Sequence, residues 1–265
     1  MTSPQQPSSA EETDPVLVET GDGVMVITIN RPKARNAVNA AVAEGVAAAL
    51  DQLDKSDDLV VGVITGAGGS FCAGMDLKGF LRGESPSIPG RGFAGLTEAP
   101  PAKPLLAAVE GYALAGGCEV ALACDMVVAA RGAKFGVPEV KRGLAAAAGG
   151  LLRLPQRIPP NVAMELALTG EFLGAQRAHE LGLVNRLTDD GAALEGAREL
   201  ARAIAANGPL AVRASKRVII ESPTWPAGER WQRQGEILGP IFTSQDAQEG
   251  ARAFAEKRAP NWQGR

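Results

Sequence analysis

The sequence predicts an α/β fold that passes into a helical C-terminal region, and three observations carry that reading. Apolar runs of strand length alternate with helix-period stretches up to about residue 140. From residue 150 onward the helical period dominates. No Pro/Ser-rich linker separates the two parts, which argues for continuous packing. With 265 residues, 45% of them hydrophobic, the chain can bury one large core.

The elements follow in order. Residues 1–14 are polar and rich in Pro, Ser and Glu; they lack the basic and apolar regions of a signal peptide and read as a disordered tail. Runs at 16–20 and 24–30 flank Gly21-Asp22-Gly23, which supplies hairpin turn chemistry. Asn39 is placed to cap a helix whose apolar stripe is Val42, Val46, Leu50 and Leu53. Strands are expected at 59–65, 105–109, 127–130 and 135–137, with an apolar helix at 116–124. Further helices are expected at 162–168, 175–181, 192–206, 211–220 and 246–258. Asp246 with Glu249 reads as a D-x-x-E capping arrangement at the start of the last one. Residues 79–103, rich in proline and glycine, read as one long irregular loop. The expected division is a tail at 1–14, a core at 15–205 and a helical region at 206–265.

Composition narrows the chemistry. The chain has one histidine, His179, and three cysteines, Cys72, Cys118 and Cys124. A Ser-His-Asp triad or a Cys-His pair would have to run through that one imidazole. A His-based zinc site needs more than one, and no CxxC pair is present, so no metal is expected. Three cysteines give no disulfide framework and suit a reducing compartment. A net charge of −3 carries no basic footprint for nucleic acid, and no apolar run is long enough to span a membrane. The expected setting is therefore cytoplasmic. Carboxylates and backbone N–H groups remain for acid–base work.

Several motifs invite a structural explanation first. The pattern GxGxxG occurs once, at residues 90–95, but it sits inside the Pro/Gly-rich stretch without the strand and helix that a dinucleotide site requires. It is rejected. Cys72 lacks a basic partner and His179 lies mid-helix, so both read as structural. The informative constellation is two glycine-flanked turns and two glutamates. One turn is Phe71-Cys72-Ala73-Gly74-Met75-Asp76-Leu77-Lys78, and the other runs from Gly111 to Glu119. Ala115-Gly116-Gly117 would let a ligand approach the N–H groups of a helix N-terminus, where negative charge is favoured. Glu119 lies in a stretch otherwise fit for burial, the environment of a general acid or base. Glu139 follows Pro138 at a second turn; sequence spacing alone does not bring the two carboxylates together.

At these residues the chain resembles the enoyl-CoA hydratase/isomerase (crotonase) family. Asn30-Arg31-Pro32-Lys33-Ala34-Arg35-Asn36-Ala37 is similar to its N-R-P-x-x-x-N-A opening. Ala73-Gly74-Met75-Asp76-Leu77-Lys78 is similar to A-G-x-D-[IL], and Phe135-Gly136-Val137-Pro138-Glu139 to F-x-x-P-E. The Gly111-to-Glu119 segment resembles G-x-x-x-G-G-G-x-E, with Ala115 in place of the first glycine of the triplet. Residues 249–258 resemble the family's last helix.

The resemblance implies a crotonase (ClpP-like) spiral of ββα units, with 206–265 as a helical trimerisation region. It implies an oxyanion hole from the N–H groups of Met75 and Gly116, with Glu119 and Glu139 holding and activating water. It implies that Arg35, Ala73, Asp76, Leu77, Lys78 and Lys257 contact the coenzyme A portion of an acyl-CoA substrate, Lys257 and Arg258 meeting its phosphates from a neighbouring subunit. Coenzyme A is then part of the substrate and no separate cofactor is expected; the assembly is a homotrimer or dimer of trimers. The reaction implied is reversible hydration of a 2-enoyl-CoA to a 3-hydroxyacyl-CoA. Alternatives are isomerisation, dehydration of a specialised 3-hydroxyacyl-CoA, or weakly catalytic acyl-CoA binding. The chain departs from the pattern where Ala147 replaces a glycine whose N–H lies near the catalytic water, and in the 79–103 stretch that shapes the acyl pocket.

Overall fold

The computed structural model describes residues 14–265, so the expected tail at 1–14 lies outside the described residues but for Asp14. A six-stranded sheet forms the frame. Its strands are β1 (Val16–Gly21), β2 (Val24–Ile29), β3 (Val61–Gly66), β6 (Leu105–Val109), β8 (Met126–Ala130) and β11 (Arg186–Thr188), adjacent in that order. The β1–β2 hairpin is antiparallel, and every later pairing is parallel. A smaller sheet takes β7 (Tyr112–Leu114), β9 (Lys134–Gly136) and β10 (Leu173–Gly174). The chain therefore puts β6 in the large sheet and β7 in the small one before turning into α3 (Gly116–Ala123), then repeats the move with β8 and β9. That is the expected ββα spiral.

Side chains alternate between the faces of each strand, and both sets are apolar, so both faces of the large sheet must be covered. Met25, Ile27, Ile29, Ile64, Leu105, Ala107 and Val127 enter one core with α1 (Ala40–Lys55) and α3. Their neighbours Val24, Val26, Val61, Val63, Leu106, Ala108 and Val128 pack on Ala197 and Ala201 of α7 (Ala193–Ala205). Helix α1 starts where its sequence says it should: Asn39 accepts from the Val42 N–H at 3.1 Å, and Val42, Val46, Leu50 and Leu53 are all buried.

Three sequence expectations change. Residues 79–103 are not one irregular loop. Helix α2 (Leu77–Leu81) is followed by a short hairpin, β4 (Ser87–Ile88) with β5 (Gly92–Phe93), and the chain is buried from Phe93 to Leu96. The cap of α10 (Gln245–Glu256) is Ser244, which accepts from the Ala247 N–H at 3.0 Å. Asp246 is buried instead and accepts from the N–H groups of Gln263 and Gly264, at 2.7 and 3.0 Å, fastening the C-terminus. Two helices went unforeseen: α4 (Gly150–Arg157) and α9 (Arg230–Phe242), each with a proline inside. Between them lie α5 (Pro160–Thr169), α6 (Ala175–Glu180) and α8 (Pro209–Glu221). Lys216 of α8 reaches Asp125 at 2.7 Å and the carbonyls of Pro101 and Lys103, tying this helix to the core. Helix α9 buries no residue in this chain. No helix among the described residues is long and apolar enough to cross a membrane.

Candidate active site

The two glycine-flanked segments lie side by side. Cys72 N–H donates to Tyr112 O at 2.9 Å and Leu114 N–H to Cys72 O at 3.0 Å, so residues 72–75 run alongside β7. Two glycines make the approach feasible. A Cβ on Gly117 would fall 2.1 Å from Cys72 O, and one on Gly74 would fall 2.9 Å from Ala115 Cβ and 3.1 Å from Gly116 N. Any larger residue would wedge the segments apart.

This packing leaves two backbone donors unspent. Gly74 O accepts from Val38 and Asp76 N–H donates to Val38 O, but the Met75 N–H between them has no acceptor among the described residues. Gly116 opens α3, where first-turn N–H groups have no helical acceptor, and its N–H is likewise unengaged among the described residues. The turn into α3 is made by Ala115 at φ 52°, ψ −129°, a conformation that L residues rarely adopt.

The glutamates complete the cluster. Glu119, on α3 and 3% exposed, accepts through Oε1 from the N–H groups of Ala148 and Gly150, at 2.7 and 2.8 Å. Burial pushes its carboxyl above the ordinary range, opposed by those two bonds and by the positive charge of Arg153. Glu139 sits on the turn after β9, with Oε2 buried and unpartnered among the described residues. Burial raises its carboxyl too, its own backbone N–H opposing and the negative charge of Glu119 adding to the rise. Ala147 is not in the left-handed region, so alanine imposes no strain there.

Met75, Gly116, Glu119 and Glu139 all line one cleft of about 950 Å³. Arg35, Ala73 and Leu77 line it as well. Asp76 does not; its carboxylate pairs with Arg31 at 2.8 Å and caps α2 through Lys78 and Gly79 N–H. Lys78 and Lys257 also lie outside the lining, and Lys257 ends α10 in a left-handed conformation. Phe80, Phe93 and Phe172 line the cleft without having been singled out in the sequence. Each has a glycine within three residues on either side, a pattern too common in this chain to single any of them out.

The rival nucleophiles are spent on structure. His179 Nδ1 meets Val184 O at 2.9 Å. Burial pushes the Cys72 and Cys118 thiols up to about 12, and Cys124 is raised as well. Two free N–H groups and two raised carboxyls in one apolar cleft can hold a developing oxyanion and move protons beside it.

Comparison with known proteins identifies the family and the fold. The profile of the enoyl-CoA hydratase/isomerase family matches residues 19–265. An enoyl-CoA hydratase of Mycobacterium tuberculosis, EchA19, is 42% identical, the match covering 97% of this chain and 100% of that one. A carnitinyl-CoA dehydratase of Salmonella typhi is also 42% identical, over 91% of this chain and 95% of its own length. The crystal structure of an enoyl-CoA hydratase from M. tuberculosis H37Rv superposes with a TM-score of 0.94 at 62% identity, covering 96% of this chain and 100% of that one. The chain has the crotonase fold and belongs to the enoyl-CoA hydratase/isomerase family.

Proposed function

We propose that the protein catalyses the reversible hydration of a 2-enoyl-CoA to a 3-hydroxyacyl-CoA. The observation that carries this reading is that Glu119 and Glu139 both line the cleft onto which Met75 and Gly116 open. A 2-enoyl thioester is electrophilic at C3, but negative charge must be stabilised on its carbonyl oxygen as water adds. The Met75 and Gly116 N–H groups take that charge; losing one such donor costs about 10²–10³ in rate. The two glutamates hold the water between them, one accepting its proton as oxygen bonds to C3 and the other delivering a proton to C2. In the reverse direction the same groups exchange roles and water leaves.

Arg35, Ala73 and Leu77 line the same cleft and are assigned to the thioester arm. Asp76 serves that path indirectly, by fixing the start of α2. Lys78 and Lys257 are assigned to the coenzyme A phosphates at the rim, Lys257 from a neighbouring subunit. Arg258 is a weaker candidate, since Glu249 and Glu256 each hold it at 2.6 Å. The region 206–265 is assigned to a trimeric assembly, supported by Trp231, Phe242 and Phe254, which are 83%, 79% and 88% exposed in the single chain. A second reading, dehydration of a specialised 3-hydroxyacyl-CoA, is favoured by the likeness to the Salmonella typhi carnitinyl-CoA dehydratase.

The test is a panel of 2-enoyl-CoAs of differing length and bulk, followed by loss of the conjugated-thioester absorbance. Hydration of at least one member is expected. Tight acyl-CoA binding without hydration of any of them would reject the hydratase assignment.

A further inference from the structure

The glycine run at 90–95 is the one sequence motif that the chemistry above leaves unused, and in the structure it is a backbone bracket. Gly90, Gly92, Ala94 and Gly95 have φ of 74°, 73°, 55° and 64°, all in the left-handed region. The bracket is seated against α1: a Cβ on Gly95 would fall 2.4 Å from Ala43 O. It is fastened at two further points. Arg91 pairs with Asp51 of α1, and Arg153 of α4 donates to Thr97 O at 2.5 Å. One side chain in this run is both buried and in the cleft wall, that of Phe93 at 7% exposure.

The ring lies against the donor turn. A Cβ built on Gly116 would come within 2.5 Å of Phe93 Cζ, so the ring fills the space a side chain at 116 would need. Phe80, also in the lining, stands on α2 at 57% exposure and has solvent into which to swing. Phe93 has none.

With the carbonyl oxygen on the Gly116 N–H, the Phe93 ring, which stands against that same residue in the cleft wall, is near the first carbons of the acyl group and not its tail. We infer that Phe93 is a specificity-determining residue: its ring, locked by the 90–95 bracket, excludes substituents on the first carbons of the acyl group and selects unbranched 2-enoyl thioesters. This rests on the hydratase reading for the placement of the carbonyl oxygen. Truncating the ring opens room beside the reacting carbons while leaving the tail of the pocket unchanged, so the effect falls on branching and not on chain length.

The experiment compares crotonyl-CoA with its 2-methyl-branched analogue on the full chain carrying Phe93→Ala or Phe93→Leu. The branched-to-straight ratio of kcat/KM is expected to rise about tenfold or more in Phe93→Ala and less in Phe93→Leu, the scale on which a pocket reads one methyl-sized change. Titration with butyryl-CoA and 2-methylbutyryl-CoA reads the same ratio as Kd, without turnover. Equal losses for both acyl groups, with both ratios unchanged, would overturn the assignment and leave Phe93 as packing alone. If the wild type hydrates neither these substrates nor any member of the enoyl-CoA panel, but the Kd ratio shifts as stated, the hydratase reading falls while the selection of acyl shape by Phe93 stands. Should Phe93→Ala not fold, Phe93→Leu, which keeps most of the buried area, decides the question.

Discussion

The wall of the cleft made by residues 73–75, 114–119, 138–139 and 147–150 is largely packed backbone, held by hydrogen bonds between its segments and by glycines at contact distance. The wall made by 77–98 is short elements carrying exposed apolar side chains, Leu77, Phe80 and Leu81, around the one fixed ring of Phe93. On the first wall, position is set by main-chain atoms that no substitution can remove. On the second, position is set by side chains and by left-handed backbone. The first suits a reaction shared across substrates, and the second suits a choice among them.

The largest effect that would break this division lies on the first wall. Glu119→Gln and Glu139→Gln should each lower kcat by about 10²–10⁴-fold, with acyl-CoA affinity largely kept. Wild-type turnover in either variant would remove that residue from the chemistry. Glu139→Gln has a second signature. Burial raises the folded-state carboxyl above its unfolded value of about 4.3. The folded protein therefore binds more protons than the unfolded chain between those two values. Wild-type stability falls as pH rises from about 4.3 through the raised value, and the amide should flatten that slope. Parallel urea melts of wild type and variant across this window check it.

One substitution placed on each wall sharpens the contrast. Gly117→Ala puts a Cβ 2.1 Å from Cys72 O, a backbone atom that can yield only by parting the two segments. About 3 kcal/mol of stability and most of the activity should go with it. Gly90→Ala meets nothing within 4 Å and carries only the strain of φ 74°. It should lose about 1 kcal/mol, with turnover on crotonyl-CoA little changed. Equal losses in urea midpoint for the two would mean that the walls are equally rigid.

The same division decides how much was legible in the sequence. Strands β2, β3, β6 and β8 showed themselves as continuous apolar runs because both faces are buried, and helix α1 because its buried face repeats every 3.6 residues. The wall proposed for the reaction was marked in sequence by the residue types around Gly74, Gly116, Glu119 and Glu139 and by the family resemblance, but only folding brings Glu139 to the cleft that Glu119 lines. What escaped was whatever follows no period. The hairpin after α2 depends on φ values, not on a hydrophobic repeat. Helix α9 is interrupted in sequence by Gly235, Gly239 and Pro240 and buries nothing within the chain. Asp246 looked like a cap because its partners, Gln263 and Gly264, are contacts made only on folding.

Ala115 gives the smallest effect and tests whether the reaction wall stores strain. It occupies φ 52°, ψ −129°, where glycine sits without penalty and a non-glycine residue costs about 1–3 kcal/mol. Glycine gives back part of that gain through its more flexible unfolded chain, roughly 0.5–1 kcal/mol. The methyl is also the group that a Cβ on Gly74 would meet at 2.9 Å, so removing it loosens the fit of the two segments slightly. Ala115→Gly should therefore stabilise by about 1 kcal/mol net, a rise in Tm of about 2–4 °C. If the strain serves to hold the Gly116 N–H in place, kcat should fall while Tm rises. An unchanged or lower Tm would show that the surrounding contacts already favour this conformation with the methyl in place, and that the turn stores nothing.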